Sequence, residues 1–141
     1  MTFRTNTESA HLYRLNGDYN PLHATPGPGK TLGYSGVIMH GLFSWNVAAH
    51  AVVSKFCGSK GSLLRDFEAR FAAPVEPGDQ LDILMWDMGS WKESSTVLGK
   101  IDKNLQEIRF VVKVGDTVVL SDGRALLNQD NNVKEGVKSR M

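Results

Sequence analysis

Between residues 42 and 56 the apolar positions fall at helical spacing, with Leu42, Trp45, Ala49, Val52, Val53 and Phe56 three or four residues apart. Phe43, Val47, Ala48 and Ala51 widen that face until the segment is apolar nearly all round, the pattern of a helix buried inside a domain. Gly41 precedes it, and Gly58 follows as its stop. Downstream the period shortens. Leu63–Phe71 alternates around Leu64, Phe67 and Ala69, and Pro74, Pro77, Gly78 and Asp79 mark a turn. Strands are predicted over Leu81–Met88, more weakly over Ser94–Ile101, and over Ile108–Val114 and Val118–Leu127. Gly115-Asp116 reads as the hairpin turn between the last two. One long buried helix followed by antiparallel strands predicts an α+β fold in which a curved sheet wraps a central helix.

The flanks differ from this core. Residues 1–12 are short and polar. Residues 13–41 read as loop, rich in glycine and proline, and residues 128–141 as a polar, frayed tail. The length of 141 residues fits one domain, placed at residues 1–127 with the tail behind it. Lys+Arg 16 against Asp+Glu 15 leaves a net charge of +1, so no basic excess points to nucleic acid. No apolar run approaches the ~18 residues of a membrane span, and Met1–Ser9 has no apolar signal core. Cys57 is the only cysteine, which removes an internal disulfide and a cysteine-built zinc site and fits a reducing interior. Near the helix end it reads as a small buried hydrophobe.

Several segments carry candidate chemistry. Gly27-Pro28-Gly29-Lys30-Thr31 lacks the spacing of a phosphate loop, because position 24 is alanine. His11, His23, His40 and His50 are scattered without metal-ligand spacing, and His11 and His50 read as surface or structural residues. The segment Tyr13-Arg14-Leu15-Asn16-Gly17-Asp18-Tyr19-Asn20-Pro21-Leu22-His23 is more informative. A carboxylate and an imidazole on one proline-shaped turn can address the same water as general acid and base. The same residues also suit a structural use, with Asp18 and Asn20 capping turns and His23 satisfying a backbone carbonyl. Val37-Ile38-Met39-His40-Gly41-Leu42 enters the long helix. The first amides of a helix lack internal partners and lie at its positive end, and Gly41 leaves its N–H open to a ligand oxygen. That layout stabilises an oxyanion; alternatively Gly41 serves close packing.

YRLNGDYNPLH resembles the signature of the MaoC-like, (R)-specific enoyl-CoA hydratases, the hydratase 2 group with a hot-dog fold. GYSGVIMHGL, ARFAAPVEPGD and VLSDGRA resemble the family's helix entry, following strand and turn, and last strand. The likeness covers about residues 10–127 and is closest to fungal peroxisomal members and to the second half of eukaryotic two-repeat enzymes. It implies Asp18 and His23 as the catalytic dyad, Asn20 and His40 in support, and the Gly41 amide facing the thioester oxygen. The implied reaction is reversible hydration of a trans-2-enoyl-CoA to a (3R)-3-hydroxyacyl-CoA, or the reverse dehydration. No metal or organic cofactor is expected, since the CoA thioester is itself the activating group. A hot-dog thioesterase and a non-catalytic subunit shaping a partner's acyl pocket are the rival readings. Pairing is expected with a second copy or another hot-dog subunit, with no nucleic acid or membrane partner. Ser139-Arg140-Met141 resembles a peroxisomal address.

Departures from the family pattern concern the walls of the site. Ala24-Thr25-Pro26-Gly27-Pro28-Gly29 stands where many relatives carry an acidic residue and a short helix. Only Met1–Thr5 can supply the usual first strand. Trp45, Trp86 and Trp91 are expected in the core or lining a pocket. Arg70, Lys55 and Lys60 are candidates for CoA phosphates, with Glu68 or Asp66 as alternative partners for Arg70.

Overall fold

The computed structural model describes residues 1–93 and 103–129. The element order is β1 (Thr2–Arg4), α1 (Ser9–Arg14), α2 (Pro26–Thr31), α3 (Gly41–Phe56), β2 (Leu64–Phe71), β3 (Gln80–Glu93), β4 (Lys103–Val114) and β5 (Thr117–Asn128). The strands form one antiparallel sheet in the order β1-β3-β4-β5-β2, with α3 packed on it. This is the α+β, hot-dog arrangement expected from the sequence. The expected strand at Ser94–Ile101 and the tripeptide Ser139-Arg140-Met141 lie outside the described residues.

Strand alternation builds the core. Ile108, Phe110 and Val112 of β4 are buried against α3, beside Leu81 and Ile83 of β3 and Leu120, Ala125 and Leu127 of β5. Register shifts at Asp87/Gly89, Glu68/Arg70 and Phe110/Val112 interrupt the ladder. Such bulges bend strands and raise their twist, which curves the sheet around the helix. The β4–β5 hairpin turns at Gly115-Asp116 with Gly115 at φ +56°, the position where a II′ turn places glycine.

The buried stripe of α3 is Ser44, Ala48, Ala51 and Val52, spaced four, three and one residues apart. These are small side chains, so the helix axis approaches the sheet closely. The larger residues expected in the core flank that stripe, and Leu42 is 58% exposed at the outer edge of the first turn. Trp45 packs edge-on against Phe67. Trp86 corrects the expectation more sharply. It is 49% exposed on the outer face of β3, between exposed Leu84 and Met88, because strand parity places residues 81, 83 and 85 inward. Trp91 lies under the Arg124 guanidinium, 5.0 Å from its ring centroid. Glu68 pairs with Arg124 and Asp66 with Arg65, so both carboxylates offered to Arg70 have other partners.

The segment read as loop contains ordered elements. Pro21–His23 forms a single 3-10 turn, and the Pro-Gly-Pro-Gly run forms α2, with Pro26 at its start, where a missing N–H is not needed. A short helix is therefore present even without the acidic residue that many relatives carry there. Gly29 has a packing reason to be glycine. A Cβ there would stand 1.8 Å from the Gly36 carbonyl oxygen, so the residue serves close backbone packing.

At the sheet edge, β1 pairs only with Gln80–Asp82, extended by the Met1–Ile83 backbone bonds. Beyond Ile83, β3 continues to Glu93 with β4 on one side and no strand on the other among the described residues.

The Gly29 contact yields a stability prediction. Gly29→Ala forces α2 away from Gly36 and is expected to destabilise the fold by about 1–3 kcal/mol, typical of overpacking. Thermal unfolding followed by circular dichroism will show a lowered Tm, whereas Gly27→Ala, with open space at its Cβ, will leave it near wild type.

Candidate active site

The site is built from two chain segments that cross at the start of α3. The Tyr19–His23 segment is held by its own side chains. Asn20 N–H donates to Asp18 Oδ1 (3.1 Å), and Leu22 N–H donates to Asn20 Oδ1 (3.0 Å). These Asx-type bonds shape the turn into Pro21. The second segment, Ile38–Gly41, is fixed by Met39 N–H to the Val75 carbonyl (2.7 Å). A buried bond joins the two: His23 Nδ1 lies 2.8 Å from the Ile38 carbonyl oxygen. A carbonyl only accepts, so Nδ1 carries a proton, and in the neutral ring the lone pair is on Nε2.

Each member of the expected dyad therefore uses one atom for structure and keeps another for chemistry. Asp18 anchors Oδ1 in the turn and keeps Oδ2; His23 anchors Nδ1 and keeps Nε2. The structural and chemical readings of these residues are compatible. Asp18 has a side chain 58% exposed, whereas His23 is buried.

His40 links them. It is 2% exposed, and its ring stacks on His23 with centroids 3.9 Å apart. Its Nε2 lies 3.2 Å from the Asp18 carbonyl oxygen and 4.0 Å from Asp18 Oδ2. Nε2–H donating to that carbonyl leaves Nδ1 without a partner in the buried interior. Burial lowers the His40 pKa below its ordinary 6.5, with His23 and Arg14 acting in the same direction and the hydrogen bond and charge of Asp18 opposing. Tyr13 closes the far side, its ring 5.1 Å from His40 and its hydroxyl accepting from Asn46 Nδ2.

Gly41 opens α3 and lines a cavity of about 300 Å³ together with His23, His40, Ile38, Val75 and Leu120. A second cavity of about 370 Å³ is lined by Tyr13, Asn16, Asp18, His40, Gly41 and Phe71, so Gly41 borders both. Phe71, which had no signal in the sequence beyond its place at a strand end, lines both cavities. Lys55 sits in the last turn of α3, its ammonium over the Phe56 ring, about 20 Å from Gly41 by helical rise. His11 binds the Ala24 carbonyl, and His50 is exposed on α3.

One ligand atom from each of Asp18, His23 and His40 lies within 4.8 Å of the others, a set with the composition of a two-histidine, one-carboxylate metal site. In that set His40 Nε2 is engaged by the Asp18 carbonyl, and the two imidazole rings stack with their planes 26° apart.

Comparison with known proteins agrees with this architecture. The model of the MaoC like domain matches residues 2–109, and the chain belongs to the MaoC-like family. A probable dehydratase NIT22 of Ajellomyces capsulatus is 64% identical over 140 residues, covering 99% of this chain and 36% of that protein. Enoyl-CoA hydratase 2, peroxisomal, of Arabidopsis thaliana is 39% identical over 83 residues, covering 59% of this chain and 27% of its own length. The crystal structure of a MaoC-like dehydratase from Phytophthora capsici superposes with a TM-score of 0.76 at 30% identity, covering 92% of this chain and 40% of that one. The chain thus spans about a third of the length of these relatives.

The His40 environment predicts acid sensitivity. A histidine held below its unfolded pKa contributes its full stabilisation above pH 6.5, and that contribution is lost as pH falls, because the unfolded chain takes up the proton first. Melting temperatures measured from pH 7.5 down to 5.5 (roughly one unit either side of the ordinary histidine pKa) will fall, and His40→Gln will flatten that slope.

Proposed function

We propose that the chain is an (R)-specific 2-enoyl-CoA hydratase, interconverting trans-2-enoyl-CoA and (3R)-3-hydroxyacyl-CoA. The observation that carries this reading is the convergence of the Asp18 carboxylate and the His23 imidazole beside the first amide of α3. The names of the relatives support the same class.

In the hydration direction His23 Nε2 takes a proton from water, and the water oxygen bonds to C3. Electron density moves onto the thioester oxygen, which accepts the Gly41 N–H at the positive end of α3. Asp18, protonated, delivers a proton to C2 as the enolate collapses. Water is added as H to C2 and OH to C3, and the dyad returns to its starting state by passing the proton from His23 to Asp18. Asn20 holds the carboxylate in place through its backbone N–H, and neutral His40 positions both partners. No metal or organic cofactor enters these steps. A peroxisomal location goes with this reading, supported by the name of the Arabidopsis relative.

The test is a hydration assay on purified full chain with short and medium trans-2-enoyl-CoA, following loss of conjugated thioester absorbance, with chiral analysis of product. Asp18→Asn and His23→Ala are each expected to lower kcat by at least ~10²-fold, the range of a general acid or base. Release of free CoA without hydration would replace this reading with a thioesterase. An inactive but folded chain would point to a non-catalytic subunit.

Assembly through the free edge of β3 belongs to the same proposal. Among the described residues that edge is unpaired past Ile83, with Leu84, Trp86 and Met88 exposed on the outer face of the same strand, and a long unpaired strand edge is a template for pairing with another chain. A second copy in antiparallel register would complete it as a two-fold dimer. Sedimentation is expected to give about twice 15.5 kDa. Trp86→Lys with Leu84→Lys will shift the mass to the monomer, and a wild-type monomer at all concentrations would refute this assembly.

A further inference from the structure

The buried stripe of α3 holds one polar side chain, Ser44. It is 3% exposed and lines the cavity of about 300 Å³ together with His23 and Gly41. A serine inside a helix commonly turns its hydroxyl back onto the carbonyl four residues earlier. Here that carbonyl belongs to His40, and no such bond forms. Among the described residues the Ser44 hydroxyl has no hydrogen-bond partner, and unlike His40 Nδ1 it is not sealed in the packing, so it faces the cavity.

Packing accounts for the small size of Ser44 but not for its hydroxyl. Alanine serves the same stripe at Ala48 and Ala51 without taking a polar group out of water unpaired. Gly41 differs, since a Cβ there would stand 2.9 Å from Phe71 Cε1 and packing alone requires glycine. Ser44 follows Gly41 by three residues, about one turn along α3. Helical side chains tilt toward the N-terminus, so Ser44 leans back over the turn that Gly41 begins. A hydroxyl and a first-turn amide, both donors, thus border one cavity beside His23.

We propose that Ser44 is a catalytic residue whose hydroxyl donates, together with the Gly41 N–H, to the carbonyl oxygen of the thioester. This rests on the acyl-thioester reading above. The bond strengthens as charge gathers on that oxygen in the enolate. The proton stays on Ser44 throughout, and no covalent bond to the residue forms or breaks.

The experiment compares wild type, Ser44→Ala and Ser44→Cys as full chains. Calorimetric binding uses butyryl-CoA and S-butyl-CoA, an unreactive pair that differs only in the carbonyl oxygen. The preference for the thioester is expected to fall roughly 5-fold in Ser44→Ala, the share of one hydrogen bond. For hydration of crotonyl-CoA, kcat is expected to fall roughly 10²-fold with KM little changed, as for loss of an oxyanion donor. Ser44→Cys, with a weaker donor, will lie between. The Tm of Ser44→Ala will match or exceed that of wild type, because an unpaired hydroxyl leaves the interior. A thioester preference unchanged within about twofold in folded Ser44→Ala would overturn the proposal, being below the effect of one hydrogen bond. So would a lowered Tm with both ligands weakened alike, which marks a packing role. Binding of neither ligand by wild type would overturn it together with the reading it rests on. A lost thioester preference with no hydration by any form would uphold the contact between Ser44 and the carbonyl and remove the hydratase reading instead.

Discussion

One buried hydrogen bond, from His23 Nδ1–H to the Ile38 carbonyl, organises the site. It ties the Pro21–His23 turn to the strand-like segment that feeds α3, and so brings residues fifteen apart in sequence into one cluster. Its net contribution to stability is about 1 kcal/mol, but leaving the buried carbonyl unpaired would cost about 1–3 kcal/mol, so the tie is strongly specified. The bond also fixes the tautomer. With the proton on Nδ1, Nε2 is the nitrogen left outside that bond.

The second constraint is the thinness of the buried face of α3. Ser44, Ala48, Ala51 and Val52 let the helix sit close to a sheet already lined by large residues such as Phe110 and Ile108. Bulk on both surfaces would overfill the interior. This closeness brings the N-terminus of α3 level with the ends of β2 and β5, where Phe71, Ala72, Val119 and Leu120 form the wall opposite Gly41. The site is therefore a product of packing as much as of its polar residues.

Much of this was legible in the sequence, and the reasons for the exceptions are physical. The helix and four strands follow from periodicity, and their observed limits differ from the predicted ones mainly by extension of β3 and β4. Gly17, Asp18, Asn20, Pro21 and His23 point to a shaped turn because each residue type has a specific backbone use. Periodicity does not reveal which side of a nearly all-apolar helix is buried; Leu42 and Ala48 carry the same hydrophobic signal, but only the small one fits against the sheet. Glycine density marked residues 26–31 as loop, whereas Gly29 is there because α2 passes against the Gly36 backbone. Proximity across strands, as in Phe71 over Gly41, has no local signature at all.

The surroundings of Asp18 and His23 are unequal. His23 is buried, stacked on His40 and hydrogen-bonded through one nitrogen, so its position and tautomer are set by the fold alone. Asp18 is exposed and anchored by one oxygen, so its environment changes most when a ligand covers it. His40 maintains this division. It grips the backbone of Asp18 instead of its carboxylate, its Nε2 standing 3.2 Å from the carbonyl oxygen and 4.0 Å from Oδ2.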